Sequence, residues 1–172
     1  LPDVFGPPDV LMMDLAVATT VQPATPWIAA QAKPWPGRLN VLRLQGGTSY
    51  AFNSVVGAQA TMGELLSELP AGIIGRVDYQ HALDVVLDFG ALSSATREEL
   101  LSGANLVAVG SELDGYEILQ FESAELTGNN TYRLRGLLRA QSGSFAEMLP
   151  LRIAGQRIVL MNGAVLQVQS TL

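Results

Sequence analysis

Two runs of alternating residues, EILQFESAEL (117–126) and TYRLRGLLR (131–139), flank the turn-rich tetrapeptide TGNN. That pairing constrains the chain more than any other feature, because period-two alternation on both sides of a tight turn reads as an antiparallel hairpin. Its second strand carries Arg133, Arg135 and Arg139, and the partners of these arginines bear on function. Closing the hairpin with Leu126 opposite Thr131 predicts Glu122 opposite Arg135, Ala124 opposite Arg133, and Phe121 opposite Gly136. A cross-strand pair of opposite charge contributes about 0.2–1 kcal/mol. An aromatic ring over a strand glycine also helps to pin the register.

A phosphate-binding face needs uncompensated cations, usually beside stacking aromatics. Here the adjoining strand supplies the acids, and the chain has a single lysine, so no nucleic-acid partner is expected. Charge is nonetheless polarised. Residues 1–125 hold five Lys/Arg and fifteen Asp/Glu, whereas residues 126–172 hold five Arg and one Glu. Such asymmetry suits oriented association with a complementary neighbour, or mutual neutralisation of the two halves inside one domain.

Seven of the nine prolines fall within the first 36 residues, and sixteen of the seventeen glycines come after them. Proline fixes φ and lacks an amide donor. Residues 1–36 are therefore expected to run as an extended, proline-rich arm or linker, with VLMMDLAV (10–17) a single strand and WIAAQA (27–32) at most a helical turn. Trp27 and Trp35 each follow a proline and read as anchors that pin the arm to a neighbouring surface. Residues 37–172 are expected to form the β-rich domain. Its strands are RLNVLRL (38–44), SYAFNSVVGAQA (49–60) and LDVVLDFG (83–90), with a second hairpin of RIVLM and AVLQV around Asn162–Gly163. SSATREELLSGANL carries helix signals near 95–102: Ser94 or Thr96 to cap, Glu98 and Glu99 in the first turn, and Gly103 to end it. TMGELLSEL (61–69) has Thr61 and Glu64 at capping-box spacing and is a weaker helix candidate. The expectation is a mainly β, barrel-like domain of antiparallel strands and hairpins with one short helix.

Chemistry finds little to hold. With no cysteine, thiolate metal sites, disulfides and cysteine nucleophiles are excluded. Asp84 and Asp88 share a strand face four residues apart, hence ~13 Å at ~3.3 Å per residue. That exceeds the roughly 5–9.5 Å of glycosidase carboxylate pairs. His81 is the only histidine and has no motif partners, and Gly46–Gly47 lacks the Gly-Lys-Ser/Thr of a phosphate cradle. No apolar run reaches the ~18 residues of a spanning helix. No catalytic residue, cofactor or metal site is expected. The candidate structural and interface residues are Trp27, Trp35, Phe121, Glu122, Arg133, Arg135 and Gly136.

The segments PPDVLMMDLA, AKPWPGRLNVLR, GALSSATREELLSGANLVAVG, YEILQFESAELTGNNTYRLRGLLRAQSGS and RIVLMNGAVLQ, in that order, resemble the carboxy-terminal part of a tail protein family. The family is the large baseplate hub protein of gene transfer agents and related siphophage tails, also called the megatron or TIM-barrel-like tail protein. The most specific elements are Gly103 to Gly110, the EILQFESAEL strand and the arginine-bearing strand after it. One departure is visible: relatives commonly read Arg-Gly-Gln-x-Gly-Thr where this chain has Arg139-Ala140-Gln141-Ser142-Gly143-Ser144. The resemblance implies a rift-related barrel within a homotrimeric hub, in the tail of a virion or phage-like particle assembled in the bacterial cytoplasm. Its partners would be other tail and baseplate proteins, and its role structural, not enzymatic. The alternative expectation is a module that binds cell-surface glycans for host recognition, with Trp27, Trp35, Tyr116 and Tyr132 as platforms.

Overall fold

The computed structural model describes residues 5–15 and 25–170. In chain order the strands are β1 (Asp9–Met13), β2 (Trp27–Gln31), β3 (Leu39–Gln45), β4 (Ser49–Val56), β5 (Met62–Leu65), β6 (Leu69–Pro70) and β7 (Leu83–Phe89), then β8 (Leu106–Ser111), β9 (Gly115–Gly128), β10 (Thr131–Leu138), β11 (Leu151–Arg152), β12 (Arg157–Leu160) and β13 (Leu166–Gln167). One helix, α1 (Arg97–Leu101), lies between β7 and β8.

Six strands close into an antiparallel barrel in the order β10-β7-β5-β12-β8-β9. Alternation explains which residues fill it: Leu83, Val85 and Leu87 of β7, Val107 and Val109 of β8, and Leu119 and Phe121 of β9 all join one buried interior cluster. The intervening Ala108, Ile118 and Val159 point outward, yet they are buried too, in a second cluster with Met13, Ala29 and Met62. What covers them is the three-stranded sheet β1-β2-β13, packed on the outside of the barrel. Outside that sheet lies a third layer, the two-stranded ribbon β3–β4, whose Val56 packs on Ile28 and Ala30. Each fully buried aliphatic or aromatic side chain contributes roughly 1.5–3 kcal/mol, so both faces of this barrel wall stabilise the fold.

The described part of the proline-rich segment is thus built into the layers. Its Ala-rich WIAAQ is a strand and not a helical turn. It runs between β1 and β13, and the small side chains of Ala29 and Ala30 let a layer approach on each face. The strand expected over 10–17 ends at Met13, and its residues 16 and 17 lie outside the described residues.

TMGELLSEL likewise contains a strand, β5, and no helix. Met62 faces the outer sheet and Leu65 the barrel interior, so both sides of β5 are occupied, as suits a strand in the wall. A Cβ at Gly63 would lie 1.9 Å from the Val86 carbonyl oxygen, so β7 can approach β5 only where that side chain is missing. The hairpin expected at Asn162–Gly163 does not form. Both edges of β12 are taken by β5 and β8, so the chain turns a corner at Asn162 and β13 pairs with β2 instead.

The helix is as the sequence signals indicate, though only five residues long. Thr96 caps it in a full capping box with Glu99, and Gly103 follows with φ +97°.

Replacing Gly63 with Val is expected to cost about 3 kcal/mol through the clash with Val86, read as a lowered urea midpoint. Gly57→Ala, into open space, is expected to leave the midpoint unchanged within about 0.5 kcal/mol.

Candidate functional site

The β9–β10 hairpin forms, but its register differs by one residue from the predicted one. It closes with Thr131 opposite Gly128, and the ladder then shifts so that Tyr132 faces Leu126 and Thr127 is left as a bulge. A bulge moves every later pair by one position. Arg133 therefore faces Glu125, Arg135 faces Ser123, and Leu137, not Gly136, faces Phe121. The glycine is covered by Glu122 instead of Phe121. Gly136 has φ +65°, and a Cβ there would meet Glu122 Oε2 at 2.6 Å. Phe121 lies wholly inside the barrel.

The guanidinium groups find acids other than those the predicted register offers. Arg133 donates from Nε and Nη2 to the two carboxylate oxygens of Asp84 on β7, at 2.7 and 2.8 Å. These hydrogen bonds hold the Asp84 carboxyl below its ordinary pKa, against the opposing effect of burial. Arg135 is exposed and reaches Asp84 only through its longer-range field. Glu122, its predicted partner, accepts from the Tyr79 hydroxyl at 3.0 Å and lies 4.0 Å from Arg97.

Arg139 is the decisive case. It is fully buried and donates from Nε and Nη2 to both oxygens of the equally buried Glu117, at 2.8 and 2.9 Å. Its Nη1 donates to the Pro70 carbonyl, and Glu117 also accepts from the Ala140 amide. The bidentate geometry and the extra bonds satisfy both charges, which a buried pair requires. Sequence reasoning missed this pair, although each partner is a lone charge beside apolar neighbours: Glu117 before Ile118-Leu119, and Arg139 after Leu137-Leu138.

Arg152 is also buried. It donates to the Gly115 and Glu147 carbonyls and to Gln156, which in turn donates to Asp114. Arg157 binds Asp9 of β1 and lies 3.6 Å from both Glu64 and Asp88, tying the amino-terminal segment to the barrel. Arg133, Arg139 and Arg157 thus meet carboxylates from upstream of residue 126, so much of the downstream positive charge is neutralised inside the molecule while the net −6 remains.

The remaining candidates are structural in placement. Trp27 packs with the cluster between the outer sheet and the barrel, and Trp35 with the one beneath the ribbon. Of the four proposed sugar platforms, Tyr116 is buried, and Trp27, Trp35 and Tyr132 are partly buried against core clusters. Asp84 and Asp88 each sit against an arginine. His81 Nδ1 is 2.7 Å from the buried Asp78. Burial would raise the Asp78 carboxyl, but the His81 ring and the Gln80 and His81 amides outweigh it and hold it below its ordinary value. Among the described residues no three His, Cys, Asp or Glu side chains gather as a metal set, and no helix is long and apolar enough to cross a membrane.

Arg139→Met is expected to cost about 3–5 kcal/mol in chemical denaturation, because it strands the Glu117 charge. Adding Glu117→Leu removes that charge and brings the loss back to about 1–3 kcal/mol, the cost of the Ala140 amide left unpaired. At Ala140 the backbone is left-handed, with φ +52°, a conformation that glycine adopts without the cost a Cβ brings. Ala140→Gly is expected to raise the denaturation midpoint by the equivalent of about 1 kcal/mol.

Residues 60–159 match the family model described as Rcc01698-like, C-terminal. A search of curated proteins finds no match. The matched stretch runs from just before β5 into β12, taking in nearly the whole barrel with the buried Arg139–Glu117 pair at its heart. On that match, which covers more than half of its length, the chain belongs to the Rcc01698-like, C-terminal family.

Proposed function

We propose that this chain is a structural module of a phage-type tail tip or baseplate hub, working through protein–protein contacts at the distal end of the tail. Membership of the Rcc01698-like family, whose namesake is associated with a gene transfer agent, supports the setting. So does the ordered resemblance of five sequence segments to the gene-transfer-agent hub. The observation that carries an assembly role is the β3–β4 ribbon, whose outer face holds Leu42, Leu44, Tyr50 and Phe52 at 54, 50, 71 and 63% exposure. Apolar surface gathered on one face of a projecting element marks a contact surface.

In this reading the barrel is a rigid block and the ribbon a docking element. The hub is trimeric, and the particle assembles in the bacterial cytoplasm with other tail and baseplate proteins as neighbours. No step of chemistry is assigned to the chain.

Immunogold labelling of purified particles with an antibody to this domain is expected to mark the distal end of the tail. Tails without label, with the protein recovered only free in solution, would overturn the proposal. Binding on a glycan array would turn the reading toward host recognition.

A further inference from the structure

The corner at which the chain leaves the barrel wall, Asn162–Gly163, carries a chemistry of its own. The chain has six asparagines, and Asn162 is the only one followed by glycine. Its side chain forms an Asx turn, with Oδ1 accepting from the Ala164 amide at 3.0 Å. Among the described residues neither the Asn162 Nδ2 nor the Gly163 amide has an acceptor. Both residues are exposed.

The other asparagines lack this combination. Asn53 Nδ2 donates to the Gln169 carbonyl, and Asn105 Nδ2 to the Ser93 and Phe121 carbonyls. Asn40, Asn129 and Asn130 precede Val41, Asn130 and Thr131, each with a β-carbon beside its main-chain nitrogen. At Asn162 the next nitrogen is unengaged and free of a Cβ, and it belongs to the same turn as the amide carbon. Such placement makes attack an intramolecular step.

We propose that Asn162 is a site of spontaneous deamidation, with water as the co-reactant, and that its product loosens β13. Hydroxide removes the proton from the Gly163 nitrogen, which forms a bond to Asn162 Cγ. The negative charge develops on Oδ1, the oxygen that already accepts from the Ala164 N–H, and a donor so placed lowers the barrier. The Cγ–Nδ2 bond then breaks, and Nδ2 takes a proton from water and leaves as ammonia. A five-membered succinimide remains. Water adds to one of its two carbonyls: opening at the side-chain carbonyl leaves an aspartate, and opening at the main-chain carbonyl leaves an isoaspartate. No oxidant or reductant enters.

The isoaspartate passes the main chain through one extra methylene, between β12 and β13. Little holds β13 in place. It pairs with β2 through Leu166 opposite Ile28 and Gln167 opposite Trp27, and the Val168 amide donates to the Pro26 carbonyl. Val165, three residues after the modified position, is buried in the cluster between outer sheet and barrel. Gln169 beyond it exchanges hydrogen bonds with Asn53 of the ribbon. A longer corner shifts this whole run against β2, whereas β12 and the barrel stay as they are. The modification therefore acts as a slow, irreversible loosening of the outer layers, whatever particle the chain serves.

The test incubates the folded 172-residue chain and follows every asparagine by peptide mapping that separates aspartate from isoaspartate. Asn162 is expected to convert first, faster at about pH 9 than at about pH 7, because the attacking amide must lose its proton. In heavy-oxygen water each converted chain is expected to gain one labelled oxygen. The folded chain is expected to react at least as fast as a synthetic peptide of residues 157–168, which does not hold the Asx turn. Gly163→Ala, whose Cβ meets nothing within 4 Å, is expected to keep the parent melting temperature and to convert at least roughly tenfold more slowly. In the isoaspartate fraction, hydrogen exchange is expected to quicken at the Val168 amide and to stay unchanged at Val107 in β8. Earlier conversion at another asparagine, a folded chain slower than the peptide, a Gly163→Ala rate equal to the parent's, or unchanged exchange at Val168 would each overturn the proposal.

Discussion

Barrel closure is the constraint on which the other layers depend. Once β10, β7, β5, β12, β8 and β9 have joined in a ring, every barrel strand has both edges occupied and no further strand can be added. The chain that follows β12 must leave the wall, and it does so at Asn162 to pair with β2 on the outside. The same closure brings β7 so near β5 that position 63 accepts no side chain. An apolar outer wall then remains, with Ala108, Ile118 and Val159 pointing away from the barrel, and the sheet β1-β2-β13 exists to cover it. Each layer thus follows from the surface left by the one beneath, and the outermost, the β3–β4 ribbon, has an exposed apolar face of Leu42, Leu44, Tyr50 and Phe52.

Ion pairing follows the same geometry. A barrel brings strands distant in sequence side by side, so two arginines from the last third of the chain meet carboxylates from the first two-thirds. Arg133 reaches Asp84 on its other flank, and Arg157 reaches Asp9 and ties the amino-terminal segment down. Arg139 and Glu117 are removed from water altogether. A pair so placed does little for net stability compared with apolar residues of the same volume, but removing one partner is costly. We read it as a device of specificity: it couples β10, β9 and the Pro70 carbonyl in a single arrangement.

Local signals carried far where local physics decides the outcome. The alternation of 83–89 gave β7 and its inward face, Thr96 and Glu99 formed the predicted capping box, and TGNN closed the long hairpin. Reading failed where a neighbour not visible in the local stretch decided. WIAAQA and TMGELLSEL carry residues at home in helices, but each lies between packed layers, and occupation of both faces favours strands. The predicted Glu122–Arg135 pair failed because the turn is tighter than the spacing suggested, closing Gly128 instead of Leu126 on Thr131, and the Thr127 bulge recovers only one of those two residues.

By itself, then, the sequence determined the class of fold, the helix, the strands of the main hairpin and the absence of cysteine chemistry, because alternation, capping and composition act over a few residues. It also displayed the polarised charge. Only the tertiary structure decided which acid each arginine meets, that the amino-terminal strands and β13 share one sheet, and that the ribbon turns its apolar face outward. These depend on register and on which strand edges remain open, and both are properties of the closed barrel as a whole.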